Sequence, residues 1–360
     1  MRLLLNNRRL AACLLALALA GAVTAPAAGR LVYTKRWWTP YSQLWVAQDD
    51  GSGARRLVSS RLPWVLLGPA AISPDGESVV YALTRLAGQG GERLMVIPAA
   101  GGQPRLLARE TAFAAWSPDA RTIAATRFVP GPVRRQQLLA IDAATGSQRV
   151  LAEAPRIEHV SFSPAGDALA YAAGSGRSSD VYTVPLLGGP ARRLTRNGHS
   201  VAPAWGRRFI ALSRWYPTRR AGHPAQKADL YLIPPTGGPL HRMTHLHATF
   251  LWPTAWPTGG HRLLLEIATG TPPSLTHPSA TDWAATITIP RAQVRQIGRP
   301  SRGNGPFGVA GAAISRDGRA VLATKYSGDR VGGIDVVTLP FLGGRPHVLA
   351  RHAMDPSWSR

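Results

Sequence analysis

Cysteine is almost absent from this 360-residue chain, which contains a single one, Cys13. One cysteine can form no intramolecular disulfide, so the chain does not belong with the disulfide-stapled exported domains, and at this length packing alone can stabilise it. Lysine is also scarce: it occurs at positions 35, 227 and 325, so that 39 of the 42 basic residues are arginine. A Gly-x-Ser-x-Gly motif is missing as well, and with it the usual nucleophile of α/β-hydrolases.

Long apolar runs are missing too, apart from one near the N-terminus. Residues 10–23 form an apolar run of 14 residues, preceded by three arginines and followed by Ala25-Pro26-Ala27. These features predict a signal peptide over 1–27, since the run is shorter than the ~20 residues of a membrane-spanning helix. We therefore expect cleavage after Ala27, a single domain over 28–360 and no transmembrane segment after cleavage; an uncleaved anchor is the alternative. The exported protein would be secreted, periplasmic or attached to the cell envelope.

Acidic residues are in deficit, with 19 against 42 basic ones and a formal net charge of +23. A charge excess of this size attracts anionic polymers such as cell-wall glycans. We expect an envelope protein or an anionic polysaccharide as the partner and no sequence-specific nucleic acid. Because the basic residues are nearly all arginine in a chain rich in Ala, Gly and Pro, GC-rich coding bias is the alternative source of the charge.

What the sequence does contain is a repeat, in which an apolar strand ends in a large residue and a Ser-Pro-Asp-Gly-like turn follows. The large residues are Ile72, Trp116, Phe162, Trp205, Trp256, Ile314 and Trp358. Their spacing of 43 to 58 residues gives seven copies. In such a turn proline presets φ, aspartate bonds its own backbone and glycine takes the left-handed position. We expect the large residue before the turn to point into the packing between sheets.

Each copy continues with a third strand, a glycine turn such as Gly101-Gly102, and a fourth strand that begins near an arginine, as at Arg105, Arg149 and Arg192. Four short antiparallel strands per repeat are typical of a β-propeller blade. The sequence therefore predicts an all-β, seven-bladed β-propeller. Six blades with an irregular insert are the alternative, because the copies at Trp205 and Trp256 are degenerate. We expect the fourth-strand arginines to lie on the outer edge of each blade, where charge deters edge-to-edge association.

The two ends of the chain complete one repeat. Residues 356–360 begin the repeated phrase, and the strands that should follow it are found at 30–34, 44–46 and 55–58. We therefore expect the C-terminal strand to join the N-terminal blade, which closes the ring and hides the sheet edges of an open array.

Two phrases of the repeat are specific enough to indicate a family. Trp116-Ser117-Pro118-Asp119 and the Gly188-Gly189 turn with its following Arg193-Leu194-Thr195 resemble those of TolB-type, WD-repeat-like propellers, which also occur as non-catalytic domains of prolyl oligopeptidase-like peptidases. The resemblance covers nearly all of the mature chain and implies the propeller fold. The chain departs from TolB, which has a separate α/β domain before a six-bladed ring. Family membership alone does not assign an activity.

Candidate binding residues lie at one end of the predicted ring, where the longer loops between second and third strands meet the connectors between blades. The predicted ligand-binding residues are Arg36, Trp37, Trp38, Tyr41, Arg134, Arg135, Arg177, Trp215, Tyr216, Arg219 and Arg220. Aromatic rings beside guanidinium groups can stack on sugars or an extended peptide while the cations pair with acidic groups. Packing of Trp37 or Trp38 between blades is the alternative.

The one histidine cluster is formed by His241, His245 and His247. Some seven-bladed relatives of the resembled family are polysaccharide lyases with a histidine-bound metal, but no motif matches here residue by residue and no carboxylate stands nearby in sequence. We expect solvated or capping histidines, no metal, no cofactor and no catalytic residues.

The resulting hypothesis is an exported, monomeric binding module or scaffold that holds a protein segment or an acidic polymer. A propeller enzyme of the polysaccharide lyase or lactonase type, with its site at the central channel, is the alternative. Carboxylates and histidines from several blades at the channel would favour the enzyme, whereas a broad basic surface would favour the binding module.

Overall fold

The computed structural model describes residues 29–35, 41–85, 91–133, 135–217, 226–256, 260–269, 281–297, 308–315, 317–326 and 333–359. These ranges contain 28 β-strands and no helix, hence no helix that could cross a membrane. The signal peptide predicted over 1–27 lies outside the described residues and stays a prediction.

The strands of the first four repeats follow one another with short gaps. They are β1 (Arg30–Lys35), β2 (Gln43–Gln48), β3 (Arg55–Ser59), β4 (Trp64–Ile72), β5 (Ser78–Arg85), β6 (Arg93–Pro98), β7 (Arg105–Arg109), β8 (Thr111–Trp116), β9 (Thr122–Val129), β10 (Arg135–Asp142), β11 (Gln148–Ala154), β12 (Arg156–Phe162), β13 (Ala168–Ser175), β14 (Ser178–Pro185) and β15 (Arg192–Arg193).

The remaining strands continue the same order. They are β16 (Ser200–Trp205), β17 (Ile210–Pro217), β18 (Gln226–Ile233), β19 (His241–Arg242), β20 (Phe250–Ala255), β21 (Arg262–Thr269), β22 (Thr281–Thr288), β23 (Gln293–Ile297), β24 (Gly308–Ile314), β25 (Ala320–Tyr326), β26 (Ile334–Pro340), β27 (His347–Arg351) and β28 (Ala353–Trp358).

The strands form seven antiparallel four-stranded sheets, which confirms a seven-bladed propeller and excludes the six-bladed alternative. Blade 1 is β28-β1-β2-β3, and blades 2 to 7 take the next strands in groups of four, from β4–β7 to β24–β27. The first strands of neighbouring blades contact one another around the ring and surround a central channel. The loops after the second strand of each blade therefore share one end of the ring, here called the loop end, and the Ser-Pro-Asp-Gly turns share the other, the turn end.

The ring closes through the pairing of β28 with β1, as the sequence predicts. Leu31 lies opposite Trp358, and Lys35 lies opposite Ala353. Beyond the strand, the backbone N–H of Ser359 donates to the carbonyl of Arg30 at 2.9 Å, and the N–H of Arg30 donates to Ser359 Oγ at 2.9 Å. Blade 1 is therefore held together by strands from both parts of the chain.

The core is divided into seven apolar clusters, one between each pair of neighbouring blades, within the described part of the chain. The cluster between blades 7 and 1, for example, joins Leu322 and Val336 to Leu31, Tyr33 and Trp358. A four-stranded blade is thus apolar on both faces and can bury them only against its two neighbours.

The large residue before each turn packs between blades, as expected. The indole N–H of Trp116 donates to the carbonyl of Ala71 in the preceding blade at 3.0 Å, and that of Trp256 donates to Ala204 at 3.0 Å. Trp358 is 8% exposed, but its buried indole nitrogen has no partner among the described residues. The indole N–H therefore bonds the preceding blade at Trp116 and Trp256, but has no partner in the described chain at Trp358.

The Ser-Pro-Asp-Gly turns are closed by their own side chains. In the first copy Ser73 Oγ donates to Asp75 Oδ1 at 2.5 Å, the N–H of Glu77 donates to the same oxygen at 3.0 Å, and Gly76 has φ of 76°. In the equivalent turns the hydrogen bond from the serine lowers the pKa of Asp119 and of Asp317. These carboxylates are occupied by the fold.

The inner strand of every blade is interrupted by a β-bulge or register shift among its described pairs. Four of the bulge segments contain a residue with positive φ: Gly68, His159, Ala202 and Asp355. Proline follows three of them, at positions 69, 203 and 356. Since proline has no N–H, it removes a donor from the inner edge of its sheet, which is where a strand tolerates it.

The fourth-strand arginines are exposed, as predicted, but they also join each blade to the next. Arg105 Nη2 donates to the carbonyl of Ala143 in the following blade at 2.5 Å, and Arg55 Nη2 donates likewise to Ala99. A Cβ added to Gly146 would lie 3.1 Å from Arg105 Nη1, so the glycine of the neighbouring turn leaves room for the guanidinium. Arg149, Arg192 and Arg295 approach the turn glycines of the next blades in the same way.

We predict that the same substitution has unequal costs at two equivalent tryptophans. Trp116→Phe removes the indole hydrogen bond and leaves the carbonyl of Ala71 without that donor, whereas Trp358→Phe removes an N–H that has no partner in the described chain. Urea unfolding should show Trp116→Phe to be more destabilising by about 1–2 kcal/mol. Equal costs, or a larger cost at Trp358, would contradict the assignment of this bond.

We also predict that Arg105→Ala lowers the free energy of unfolding by about 0.5–1.5 kcal/mol, the net value of one hydrogen bond. The matched control is Arg177→Ala, because Arg177 is exposed and its side chain has no bond to any described residue. Thermal or urea unfolding of both variants measures the difference. If the two variants lose the same stability, the arginine contact between blades contributes nothing measurable.

Candidate functional site

The predicted binding residues are only partly covered by the structure. Arg36, Trp37, Trp38, Arg134, Arg219 and Arg220 lie outside the described residues. The described ones, Tyr41, Arg135, Arg177, Trp215 and Tyr216, all belong to the loop end of their blades, where the sequence analysis puts them. Whether they bind a ligand stays a prediction.

Three of these residues are exposed at the loop end. Tyr41 is 62% exposed, and Arg177 is exposed at the hairpin between β13 and β14. Arg135 is exposed too, but its Nη1 lies 2.7 Å from Glu153 Oε1, and hydrogen bonds from Gln137 and Arg135 lower the pKa of Glu153. Arg135 thus has a partner already, whereas Arg177 has none among the described residues.

Trp215 and Tyr216 are half-buried and pack against neighbouring blades. Trp215 packs against the cluster shared with blade 6, and its ring meets His199 edge-on at 4.3 Å between centroids. Tyr216 packs against the cluster shared with blade 4, and its hydroxyl is hydrogen-bonded to that of Tyr231. Part of each ring therefore serves packing, the alternative that the sequence analysis raised only for Trp37 and Trp38.

Three cations at the loop end are stacked on aromatic rings. Lys35 Nζ lies 4.7 Å from the ring centroid of Trp45, and Arg93 Cζ lies 4.0 Å from that of Trp64. Arg214 Cζ lies 5.4 Å from the ring of Tyr216 and 5.5 Å from that of Tyr231. None of the three cations has an ion-pair partner among the described residues. We call Lys35, Arg93 and Arg214 the stacked cations.

A buried carboxylate opposite Arg214 is saturated by other donors. Asp229 is fully buried, and its oxygens accept hydrogen bonds from Arg242 Nη2 at 2.7 Å and Thr244 Oγ1 at 3.0 Å. The backbone N–H groups of Leu246 and His247 donate to it as well. This carboxylate fixes the connector to the next blade and leaves Arg214 without a counter-charge.

Asp180 repeats this arrangement in blade 4. It accepts hydrogen bonds from Arg193 Nη2 at 2.6 Å and Thr195 Oγ1 at 2.7 Å, and the bond to Asp180 raises the pKa of Arg193. The sequence analysis missed these aspartates. A signal was present, because in both blades the aspartate precedes its arginine by 13 residues and the arginine opens an Arg-x-Thr triplet.

All three residues of the histidine cluster are exposed, and one of them also caps a buried carboxylate. His247 Nδ1 lies 3.5 Å from Asp229 Oδ2 and its N–H caps the same carboxylate, while His241 and His245 are exposed. Within the described ranges no group of three or more His, Cys, Asp or Glu side chains is placed to hold a metal ion. The carboxylate beside His247 was not visible in sequence, since Asp229 lies 18 residues away.

A second candidate site is the central channel. A cavity of about 780 Å³ opens toward the turn end and is lined by the inner strands of all seven blades. Its walls are mostly small and aromatic, with Trp116, Phe162, Trp205, Trp252 and Trp256 among them. We call this cavity the funnel.

Two titratable residues of the bulges lie in or near the channel. His159 lines the funnel, meets the ring of Trp252 edge-on at 4.8 Å and has no hydrogen-bond partner for its imidazole among the described residues. Although the side chain is exposed to the funnel, the surrounding strands desolvate the imidazole and lower its pKa, against the opposing effect of Glu158. Burial raises the pKa of Asp355, the bulge residue of β28.

The fold is shared with several solved structures. TolB from Acinetobacter baumannii is 15% identical to this chain. The match covers 94% of this chain and 89% of the TolB chain, with a TM-score of 0.53. An oligogalacturonate lyase in complex with manganese is 12% identical over 91% of this chain and 87% of its own, with a TM-score of 0.58. A prolyl endopeptidase is 16% identical over 90% of this chain, with a TM-score of 0.64. The chain spans 50% of that peptidase.

These likenesses confirm a TolB-like propeller fold and leave the activity open, because proteins that differ in function share it. No protein-family model and no curated protein matches the sequence.

We predict a pH-dependent stability contributed by His159. Its folded pKa lies below the ordinary 6.5, so the unfolded chain binds more protons between the two values and stability falls as the pH drops through about 6.5. His159→Gln removes this effect. Below about pH 6.5 the free energy of unfolding of the native protein should therefore fall relative to that of the variant. Urea unfolding of both proteins at several pH values between about 8 and about 5, a range that includes the ordinary histidine pKa of about 6.5, measures this difference. A difference that is independent of pH would contradict the prediction.

Proposed function

We propose that this TolB-like propeller is an exported binding scaffold that holds an anionic polysaccharide at its loop end. The observation that carries the proposal is the set of stacked cations, which are held by aromatic rings in the crevices between blades and have no ion-pair partner in the described chain. The expected export rests on the leader over 1–27, which would bring the protein to a compartment where such glycans occur.

The charge distribution supports an anionic partner. The chain has a formal charge of +23, and several of its acidic groups are committed to turns and connectors, as Asp75, Asp180 and Asp229 are. Cations such as Arg177 and Arg214 remain without a counter-charge among the described residues. Their summed field attracts a polyanion and speeds its association.

The stacked geometry favours carboxylates over nucleic-acid bases. Proteins that hold single-stranded nucleic acid offer free aromatic faces on which the bases stack. In this protein one face of Trp45, Trp64 and Tyr216 is covered by a cation. What remains available is the N–H groups of the cation, and the planar guanidinium edge of Arg93 or Arg214 matches a carboxylate.

A protein segment bound in the funnel is the second candidate function. The funnel favours it because a cavity of about 780 Å³ with aromatic walls suits apolar side chains rather than a charged glycan. The lyase or lactonase alternative is favoured by no arrangement of side chains in the described ranges, although an oligogalacturonate lyase shares the fold.

Binding to immobilised alginate, a linear polyuronate, tests the proposal. We expect the purified protein to bind alginate and not neutral dextran, with affinity falling roughly 10-fold or more between 50 and 200 mM salt, as for a few released counterions. Poly-L-glutamate and duplex DNA are the comparison polymers. Equal binding to dextran, or binding that does not change with salt, would overturn the proposal.

A further inference from the structure

We infer that Arg93 and Arg214 form two separate oxyanion subsites and that one chain of the anionic polysaccharide occupies both. The inference rests on the proposed function and adds to it the anchoring residues and the way in which they act together. Arg93 faces the crevice between blades 1 and 2, and Arg214 faces the crevice between blades 4 and 5, as their neighbours Met95 and Tyr216 show.

Arg214 is a sheltered cation without a counter-charge. It lies in the half-buried C-terminal part of β17, where its Cζ is 5.4 Å from the ring centroid of Tyr216 and 5.5 Å from that of Tyr231. Its Nε is buried and has no hydrogen-bond partner in the described chain. Asp229, its Cα partner across the strand pair, is saturated by Arg242 and Thr244.

Arg93 independently shows the same features. It opens β6, stacks on Trp64 at 4.0 Å, and its Nε is likewise buried without a partner in the described residues. Its Cα partner in β7 is Arg109, a second cation. The carboxylate of the adjacent Glu110 accepts the N–H of Gly91 at 3.0 Å and makes no ion pair with Arg93.

The same protein provides a comparison for these two residues. Arg193 and Arg242 also approach aromatic rings, at 5.9 Å from Tyr182 and 5.7 Å from Tyr216, but each is paired with a buried aspartate. Of these four arginines, Arg193 and Arg242 are matched by an internal carboxylate, and Arg93 and Arg214 are not. Neither Arg93 nor Arg214 has a carboxylate partner among the described residues, so the pair points to an anion from outside as the counter-charge.

The chemistry of that counter-ion follows from the geometry. A ring lies against the guanidinium of Arg93 and two rings lie near that of Arg214, and Nε of each is buried, so the terminal N–H groups remain for the ligand. A carboxylate or similar planar oxyanion fits such an edge with two parallel hydrogen bonds. Because the two subsites face different crevices, a small acid can occupy only one, whereas a polymer with a carboxylate on each unit can occupy both and gains affinity from the second contact.

The test compares Arg93→Gln, Arg214→Gln and the double variant with Arg121→Gln. Arg121 is an exposed turn-end arginine whose side chain has no bond to a described residue, so the control loses the same charge at the opposite end of the ring. Each single variant should bind alginate about 10-fold more weakly and the double variant about 100-fold or more, with the salt slope reduced by nearly one per contact. Arg121→Gln should stay within about 3-fold of the native protein, and melting temperatures exclude unfolding as the cause.

Two further measurements test the geometry. Arg214→Lys keeps the charge without the planar edge, so it should recover only part of the lost affinity; full recovery would overturn the carboxylate-edge assignment. Free glucuronate, with one carboxylate, should compete with alginate at least ~100-fold more weakly per carboxylate than short alginate fragments do, and equal competition would overturn the joint use of both subsites.

The possible failures can be told apart. If the native protein binds alginate with the expected salt dependence and both single variants match Arg121→Gln, the subsites are wrong and the proposed function stands. If the native protein binds no anionic polysaccharide, the proposed function itself is wrong. Tighter binding to poly-L-glutamate than to alginate would identify an acidic polypeptide as the occupant and overturn the polysaccharide.

Discussion

Every blade of this protein depends on its two neighbours, because both faces of a four-stranded sheet are apolar and neither is covered within the blade. The seven clusters between blades hold the molecule together, and the fourth-strand arginines add a polar contact from one blade to the next. Such a ring has no natural end, so the pairing of β28 with β1 is the condition for all seven clusters to exist together. The channel, the crevices and the two ends of the ring follow from this closure.

The repeated phrase was sufficient to predict the fold, because its chemistry is local. Ser73, Asp75 and Gly76 close a turn without help from the rest of the chain, and the same pattern returns in each blade. Even the degenerate copies keep the large residue: Trp256 bonds the preceding blade as Trp116 does. Contacts between blades were harder to predict. Arg105 and its acceptor Ala143 belong to different repeats, and no sequence pattern links the two residues.

The candidate site could be predicted only in part, because its contacts also join different repeats. The sequence showed that cations and aromatic residues gather at the loop end, and Arg177 is exposed there. It did not show which aromatic rings pack between blades, as Trp215 does, or which cations find an acid, as Arg135 finds Glu153. Arg93 and Arg214 were not singled out, because what sets them apart is the absence of a carboxylate among the described neighbours, a property of the assembled ring.

The split first blade also has a consequence for how the molecule comes into being. On a ribosome, β1 leaves more than 300 residues before its inner neighbour β28, as the separation of 329 between Arg30 and Ser359 shows. Throughout that interval the inner edge of β1 is an unprotected template for other chains.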